Sequence, residues 1–154
     1  MKKLLTLCLV HQHPNILLGF KKRGFGANRW NGFGGKVQEG ETIEEATRRE
    51  VMEEAGLALK DLELRGILEF HVQDDPDFLE VYLFRSENFE GEPQESEEML
   101  PQWFHYEQLP FQDMWPDDQH WMPLFLEGKK FKGRFLFDPD NNILEKALEI
   151  VEDL

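Results

Sequence analysis

Short apolar runs separated by turn residues dominate the chain, and this pattern predicts more strands than helices. Residues 4–10 form a largely apolar run that is typical of a buried strand, and residues 16–20 are its predicted hairpin partner after a His-Pro-Asn turn. The other predicted strands are residues 62–72, 78–84, 102–106 and 131–137.

Two segments have the signals of helices. Thr42 and Glu45 have capping-box spacing and Gly56 offers a stop, so a helix is predicted between them. A second helix is predicted at residues 118–126, after Trp115 and Pro116. The tail at residues 143–151 fits either a helix or a closing strand, because its apolar positions match helical spacing and strand propensity about equally.

Composition and charge bound the class of protein. A chain of 154 residues that is 40% apolar predicts one globular domain, residues 1–154. A formal charge of −14 disfavours binding to a nucleic acid polymer or to an anionic membrane. Cys8 is the only cysteine, which predicts a reducing compartment. The start lacks the pattern of a secretory signal, and no apolar stretch reaches the roughly 18 residues of a membrane span.

The first helix contains the clearest candidate chemistry. Glu50, Glu53 and Glu54 stand at i, i+3 and i+4, so their carboxylates share one helical face. Like charges at this spacing destabilise a helix unless a cation compensates them, and Mg²⁺ prefers such oxygen ligands. A solvated acidic face would have the same pattern. Ala46 and Thr47, on the same stripe, favour a buried face and therefore a metal site.

A glycine-dense loop precedes this helix, with six glycines between residues 24 and 40. This composition is typical of a backbone that bends sharply and approaches a ligand closely. The Gly-Lys pair at Gly35 and Lys36 does not belong to a mononucleotide P-loop. Trp30 stands where that motif needs its first glycine, and Val37 stands where it needs Ser or Thr.

The loop and the helix together resemble a known family. The pattern Gly35-x5-Glu41-x7-Arg49-Glu50-Val51-x-Glu53-Glu54-x-Gly56-Leu57 resembles the box of the Nudix hydrolases at every defined position. Residues 21–26, 30–41 and 113–118 resemble the branch of this family that acts on oxidised purine nucleoside triphosphates.

This resemblance implies an α/β fold, namely an α/β/α sandwich around a central mixed β-sheet, closed by a strand at residues 143–151. It also implies a Mg²⁺ site formed by Glu50, Glu53, Glu54, the carbonyl of Gly34 and Glu98. Glu54 or Glu53 would remove the proton from water, and Arg49 would orient the carboxylates, as its i+4 distance from Glu53 allows. An acidic loop exposed to solvent would explain Glu98 equally well.

The same resemblance implies a nucleotide site with aromatic, amide and carboxyl side chains suited to a purine. Its expected members are Thr6, Lys21, Phe25, Asn31, Phe33, Gly34, Gly35, Lys36, Phe70, Trp115, Pro116, Asp117, Asp118 and Phe137. Taken from the residues alone, Trp115 could be ordinary core and the two aspartates could be helix caps.

The expected activity is Mg²⁺-dependent hydrolysis of 8-oxo-dGTP, 2-hydroxy-dATP and O6-methyl-dGTP to a monophosphate and pyrophosphate. A monomer with a cytoplasmic location and pools in mitochondria and nucleus is the expectation. Two alternatives stay open. A Nudix hydrolase of dinucleoside polyphosphates or nucleotide sugars would lack the pocket at Trp115, and a nucleotide-binding module without activity would lack some of the glutamates.

Overall fold

A mixed sheet of nine of the eleven strands forms the centre of the protein in the computed structural model, which describes residues 1–154. The strands are β1 (Lys2–Gln12), β2 (Asn15–Lys21), β3 (Trp30–Asn31), β4 (Phe33–Lys36), β5 (Ala58–Leu59), β6 (Glu63–Val72), β7 (Phe78–Ser86), β8 (Phe89–Glu90), β9 (Met99–His105), β10 (Lys130–Phe137) and β11 (Ile143–Val151). The helices are α1 (Ile43–Ala55) and α2 (Asp118–Leu126). Both predicted helices are therefore confirmed, and so are the predicted strands, apart from the end of the one predicted at residues 102–106.

The sheet runs β11-β10-β6-β7-β1-β2-β3, with β4 paired to β1 and β9 paired to β2, while β5 and β8 form a separate pair. β1 is parallel to β7 and β10 is parallel to β6, whereas the other pairs are antiparallel. The predicted mixed sheet is therefore confirmed. Neither helix is long and apolar enough to cross a membrane.

The two helices cover opposite faces of this sheet. Successive residues of β1 point to opposite sides, and each side packs against a different helix. Cys8 and Val10 pack in one core cluster with Val51 and Ala55 of α1. Leu9 packs in the other cluster, which includes Trp121, Met122 and Phe125 of α2. Cys8 is buried, as the strand predicted at residues 4–10 implies, and burial raises the pKa of its thiol, which makes the cysteine unreactive.

The tail forms strand β11, and the open choice between helix and strand is settled by pairing with β10. Lys130 pairs with Val151 and Phe135 with Lys146, so the backbone groups of the tail are satisfied between strands. Ile143 and Leu148 pack against the cluster on the α2 face. These partners lie in the preceding strand β10, outside the tail itself, so the pattern within residues 143–151 left the choice open.

The glycine-dense loop is more regular than predicted, because it includes the short strands β3 and β4. Strand β4 pairs with β1, and a Cβ atom at Gly34 would lie 1.9 Å from the carbonyl oxygen of Thr6. Only glycine permits this close approach of two backbones. The predicted strand at residues 102–106 also differs, because β9 ends at His105 and Tyr106 begins a short 3-10 turn.

Candidate active site

Helix α1 holds the three glutamates in its last turns, and local interactions set both of its ends. The Thr42 side chain accepts a hydrogen bond from the Glu45 N–H, while the Glu45 carboxylate accepts one from the Thr42 N–H. Gly56 ends the helix in a left-handed conformation with a φ of 72°. The predicted capping box and glycine stop are both confirmed.

Glu54 is the most buried of the three glutamates, with only 6% of its surface exposed. Its carboxylate accepts a hydrogen bond of 2.8 Å from the Gly34 N–H, which joins α1 to strand β4. Burial raises the pKa of Glu54 from 4.5 to about 8, and the charges of Glu50 and Glu98 add to this effect, whereas the Gly34 hydrogen bond and Lys21 oppose it. Without a compensating cation, Glu54 is therefore mostly protonated at neutral pH.

Glu50 lies beside Glu54 and packs against the backbone of the glycine loop. A Cβ atom added to Gly35 would lie 2.7 Å from a Glu50 carboxylate oxygen, so glycine at this position leaves room for the carboxylate. Burial raises the pKa of Glu50 as well, although the hydrogen bond and charge of Arg49 oppose the shift. Two neighbouring carboxylates are thus held where their charged forms are unfavourable.

Arg49 connects several carboxylates, and its principal partner was not predicted. The guanidinium donates to both oxygens of Glu41, at 2.7 and 3.0 Å, and to Glu50 at 2.9 Å. Its predicted contact with Glu53 is confirmed at 3.3 Å, but this is the longest of the ion pairs of Arg49. The hydrogen bond from Arg49 is the main cause that lowers the pKa of Glu41. A signal for this pair was present, since Glu41 is a defined position of the family pattern.

The carboxylate oxygens of the glutamates are chemically suited to a divalent cation, although the side chains do not converge on one point. No group of three or more His, Cys, Asp and Glu side chains is close enough to hold a metal ion. Glu53 is 58% exposed and turned toward Arg49, and Glu98 is exposed in the loop before β9. Hard carboxylate oxygens are the right donors, and a cation would remove the unfavourable charge at Glu50 and Glu54.

A cavity of about 440 Å³ leads from Glu54 across the sheet toward α2. Among the residues predicted for the nucleotide or the metal, those that line it are Thr6, Lys21, Phe25, Asn31, Gly34, Gly35, Glu54, Phe70, Trp115, Asp117, Asp118 and Phe137. Residues from both halves of the chain therefore meet in one space, with carboxyl groups at each end.

Three residues predicted for the nucleotide site do not line this cavity. Phe33 is fully buried in the core cluster under α1, because alternation along β4 directs its side chain away from the cavity. Lys36 is exposed, and its carbonyl accepts a hydrogen bond from Arg49. Pro116 is half-buried and outside the lining. Burial therefore contradicts the predicted side-chain contact of Phe33, whereas the predicted contacts of Lys36 and Pro116 stay predictions.

The cavity also has lining residues that the sequence did not indicate. Leu5, Leu7 and Met99 form part of its apolar wall, and Asp75, Asp77 and Asn141 lie among its polar members. The alternation of β1 could have indicated Leu5 and Leu7 once the orientation of Leu9 was known. No local signal identifies the others, because they come from loops and strands distant along the chain.

Asp117 and Asp118 are buried at the α2 end of the cavity, with 4% and 3% of their surfaces exposed. Burial raises the pKa of both groups, and the charge of Asp117 raises that of Asp118 further. The indole N–H of Trp121 donates to Asp117 at 2.8 Å and opposes the shift there. Asp117 makes no capping hydrogen bond to the helix, so the alternative of a simple helix cap is wrong.

Trp115 lines the cavity beside the glycine loop and belongs to neither core cluster. Its ring stacks with Phe25 at a centroid distance of 5.3 Å, and the Arg29 guanidinium lies 4.3 Å from the ring centre. Phe25 itself is 76% exposed. The alternative of Trp115 as ordinary core is therefore not what the structure shows, and an aromatic surface is open to the cavity.

The fold and the carboxylate-bearing helix define a class of protein that comparison with known families identifies. The NUDIX domain profile matches residues 3–125, and the chain belongs to the Nudix family of hydrolases. Nudix hydrolases generally use divalent metal ions.

Two curated relatives are similar over nearly the whole chain. The oxidized purine nucleoside triphosphate hydrolase of Danio rerio is 53% identical over 152 residues, covering 99% of this chain and 97% of the relative. The protein of the same name from Mus musculus is 51% identical over 150 residues, covering 97% and 96%. The crystal structure of a MutT protein from Bacillus halodurans superposes with a TM-score of 0.86 at 28% identity, covering 96% and 97%.

Proposed function

We propose that this protein hydrolyses oxidised purine nucleoside triphosphates to the monophosphate and pyrophosphate, with Mg²⁺ as the cofactor. One observation carries the proposal: a single cavity is lined by Glu54 of α1 and by the buried pair Asp117 and Asp118. The phosphate chain would lie near Glu54, where a metal ion can bind, and the purine would lie near Asp117 and Asp118, which can form hydrogen bonds with a base. The full-length similarity to the Danio rerio and Mus musculus enzymes supports this substrate class.

Glu50, Glu53 and Glu54 would hold the metal, with the Gly34 carbonyl and Glu98 as further ligands. When bound, Mg²⁺ would neutralise the phosphate chain and stabilise the charge on the leaving group. Arg49 holds Glu41, Glu50 and Glu53 in one network, which keeps these carboxylates oriented. Lys21 lines the cavity and would meet the negative phosphates on their way to Glu54.

The reaction adds water across the bridge between the first and second phosphorus atoms. The oxygen of water bonds to one phosphorus, the P–O–P bridge breaks, and its oxygen leaves with the other. Glu54 would accept the proton of the water, with Glu53 as the second candidate. The carboxylate of Glu54 is held by the Gly34 N–H, so its position is fixed before substrate arrives.

The purine end of the cavity offers both hydrogen-bond donors and acceptors. The Gly32 N–H donates to the Asn31 side-chain oxygen, so the amide is anchored and its NH₂ group remains available. Since the pKa of Asp118 is raised more than that of Asp117, Asp118 would hold a proton and donate, while Asp117 would accept. Moving this proton between the two would let one pocket match both 8-oxoguanine and 2-hydroxyadenine.

The Asp118→Asn and Asp117→Asn variants should change the preference between these two substrates. An amide cannot exchange donor and acceptor roles as a carboxyl does, so each variant is expected to shift the ratio of kcat/KM for 8-oxo-dGTP and 2-hydroxy-dATP by about tenfold. Steady-state kinetics across pH measures this. Equal losses on both substrates, with the pH profiles of the parent enzyme, would show that the pair does not read the base.

A panel of nucleotides tests the function itself. Oxidised and normal purine triphosphates, a dinucleoside polyphosphate and a nucleotide sugar are incubated with and without Mg²⁺, and the products are identified. The proposal expects monophosphate and pyrophosphate from the oxidised purines only when Mg²⁺ is present. Preference for the polyphosphate or the sugar would establish the first alternative, and binding without turnover would establish the second.

We further propose a monomer that resides in the cytoplasm, with pools in mitochondria and nucleus, where nucleotides for DNA synthesis are used. The single buried Cys8 suits a reducing compartment. The charge of −14 disfavours association with nucleic acid polymers or anionic membranes. Light scattering of the purified protein would test the monomeric state, and fractionation of cells would test the location.

A further inference from the structure

A second cavity, of about 250 Å³, lies at the C-terminal end of α2 and shares no lining residue with the first. Its polar wall includes His11 of β1, His13 of the turn after β1, Arg65 of β6, Arg85 of β7 and Tyr106. Phe125 and Leu126 supply an apolar wall. None of these residues has a part in the proposed hydrolysis.

Three of these side chains form a hydrogen-bonded series with a defined direction. The Arg85 Nε–H can only donate, and it contacts the His11 Nε2 atom, which must therefore be the acceptor. His11 is neutral, because burial, followed by the charges of Arg85 and Arg65, lowers its pKa to about 4. Its proton consequently lies on Nδ1, which donates to the Tyr106 hydroxyl oxygen at 2.7 Å.

This direction leaves the Tyr106 O–H with no acceptor in the protein. The hydroxyl oxygen already accepts from His11, and Tyr106 makes no other side-chain hydrogen bond. Burial raises the pKa of Tyr106, so the hydroxyl keeps its proton at neutral pH. The lining of the cavity thus includes a donor whose orientation is set by its neighbours and whose partner must come from solvent or from a ligand.

Arg65 provides a second donor that makes no hydrogen bond. Its Nε atom is buried and makes no hydrogen bond, although a Glu63 oxygen lies 3.2 Å away. The neighbouring NH1 group donates to the Gly128 carbonyl at 2.7 Å, which fixes the guanidinium at the cavity wall. An unsatisfied buried donor is uncommon in a native structure and calls for an explanation.

We propose that this second cavity binds a small oxyanion, a carboxylate or a phosphate group, that accepts a hydrogen bond from the Tyr106 hydroxyl. Glu87 and Glu127 also line the cavity and balance the charges of Arg65 and Arg85. Recognition therefore depends on oriented donors more than on net charge, and binding is expected to be weak, on the order of millimolar. The apolar wall of Phe125 and Leu126 favours an oxyanion attached to a small apolar body.

The experiment follows histidine and backbone resonances of the full chain by NMR. His11 is expected to show the Nδ1–H tautomer at neutral pH. Inorganic phosphate and acetate are titrated separately, with sodium chloride at matched ionic strength as the reference. Saturable shifts are expected at His11 and Gly128, with a dissociation constant separate from that of any phosphate effect at Gly34. The more tightly bound of the two anions identifies the preferred head group.

Tyr106→Phe and Tyr82→Phe form a matched pair, because each removes one tyrosine hydroxyl and keeps the ring. The Tyr82 hydroxyl donates to Glu80 at 2.9 Å and lies outside this cavity. Tyr106→Phe is expected to weaken anion binding about tenfold, as the loss of one hydrogen bond implies, while Tyr82→Phe leaves it unchanged.

Equal titrations of the two variants would overturn the proposal. So would a His11 protonated on Nε2, or shifts that chloride reproduces. If Tyr106→Phe is too unstable to be titrated, the His11 tautomer and the saturable binding measured on the parent protein still test the proposal. Since none of these measurements depends on hydrolysis, failure here would leave the proposed function untouched.

Discussion

Glu54→Gln is expected to lower kcat at least about a hundredfold while the fold is retained, as for the loss of a base or metal contact. The amide oxygen of glutamine can still accept the 2.8 Å hydrogen bond from the Gly34 N–H. What it loses is the negative charge and the ability to take a proton. Turnover of 8-oxo-dGTP with saturating Mg²⁺ measures the effect, and circular dichroism verifies the fold.

The stability of this variant should depend on pH in a defined direction. Glu54 has its pKa raised from 4.5 to about 8 by burial, so folding favours the protonated form. Its contribution to stability is fully present below pH 4.5 and is lost as the pH rises through about 8. In EDTA, Glu54→Gln should therefore match the parent near pH 5 and exceed it by roughly 2–4 kcal/mol above pH 8.

Glu44→Gln is the matched control for both measurements. It makes the same chemical change on an exposed residue in the first turn of the same helix. Turnover and the pH dependence of stability should both stay near the parent values. Full activity of Glu54→Gln would remove this carboxylate from the mechanism, and a flat difference in stability across pH would contradict its burial as a protonated acid.

Trp115→Ala is expected to raise KM for purine triphosphates strongly while kcat is largely retained. A stacked base contributes about 1–3 kcal/mol in single-stranded nucleic-acid sites, which corresponds to roughly a 5- to 150-fold loss in kcat/KM. The carboxylates of the catalytic helix are held by Arg49 and the Gly34 N–H, so the hydrolytic step should persist. Trp115→Phe retains an aromatic face and should restore most of the affinity.

Trp103→Ala provides the comparison, because Trp103 is partly buried against the cluster under α1 and does not line the cavity. It should lower the melting temperature and leave KM near the parent value. If Trp115→Ala unfolds the protein instead, or if both tryptophan variants raise KM equally, the purine does not stack on Trp115.

The sequence by itself determined the elements whose signals are local. Helix α1 begins and ends where Thr42, Glu45 and Gly56 predict, because its caps involve residues within one turn of each other. The i, i+3, i+4 spacing likewise placed Glu50, Glu53 and Glu54 on one helical face. Both the helix caps and the shared face of the glutamates depend only on residues that are neighbours in the chain, so the sequence pattern was sufficient to predict them.

Only the tertiary structure decided which of these residues is buried and what each contacts. Glu54 is enclosed by Gly34, which is 20 residues away in the chain, while Glu53 stays exposed. Arg49 binds Glu41 most closely, although the helix spacing indicated Glu53.

The difference between local signals and tertiary contacts also explains why the prediction for Phe33 was wrong and why the choice between helix and strand for the tail stayed open. The direction of Phe33 depends on how β4 pairs with β1, and the state of residues 143–151 depends on pairing with β10. Burial, and the pKa shifts that follow from it at Glu54 and Asp118, arise when distant segments exclude water together, and no local pattern encodes that exclusion.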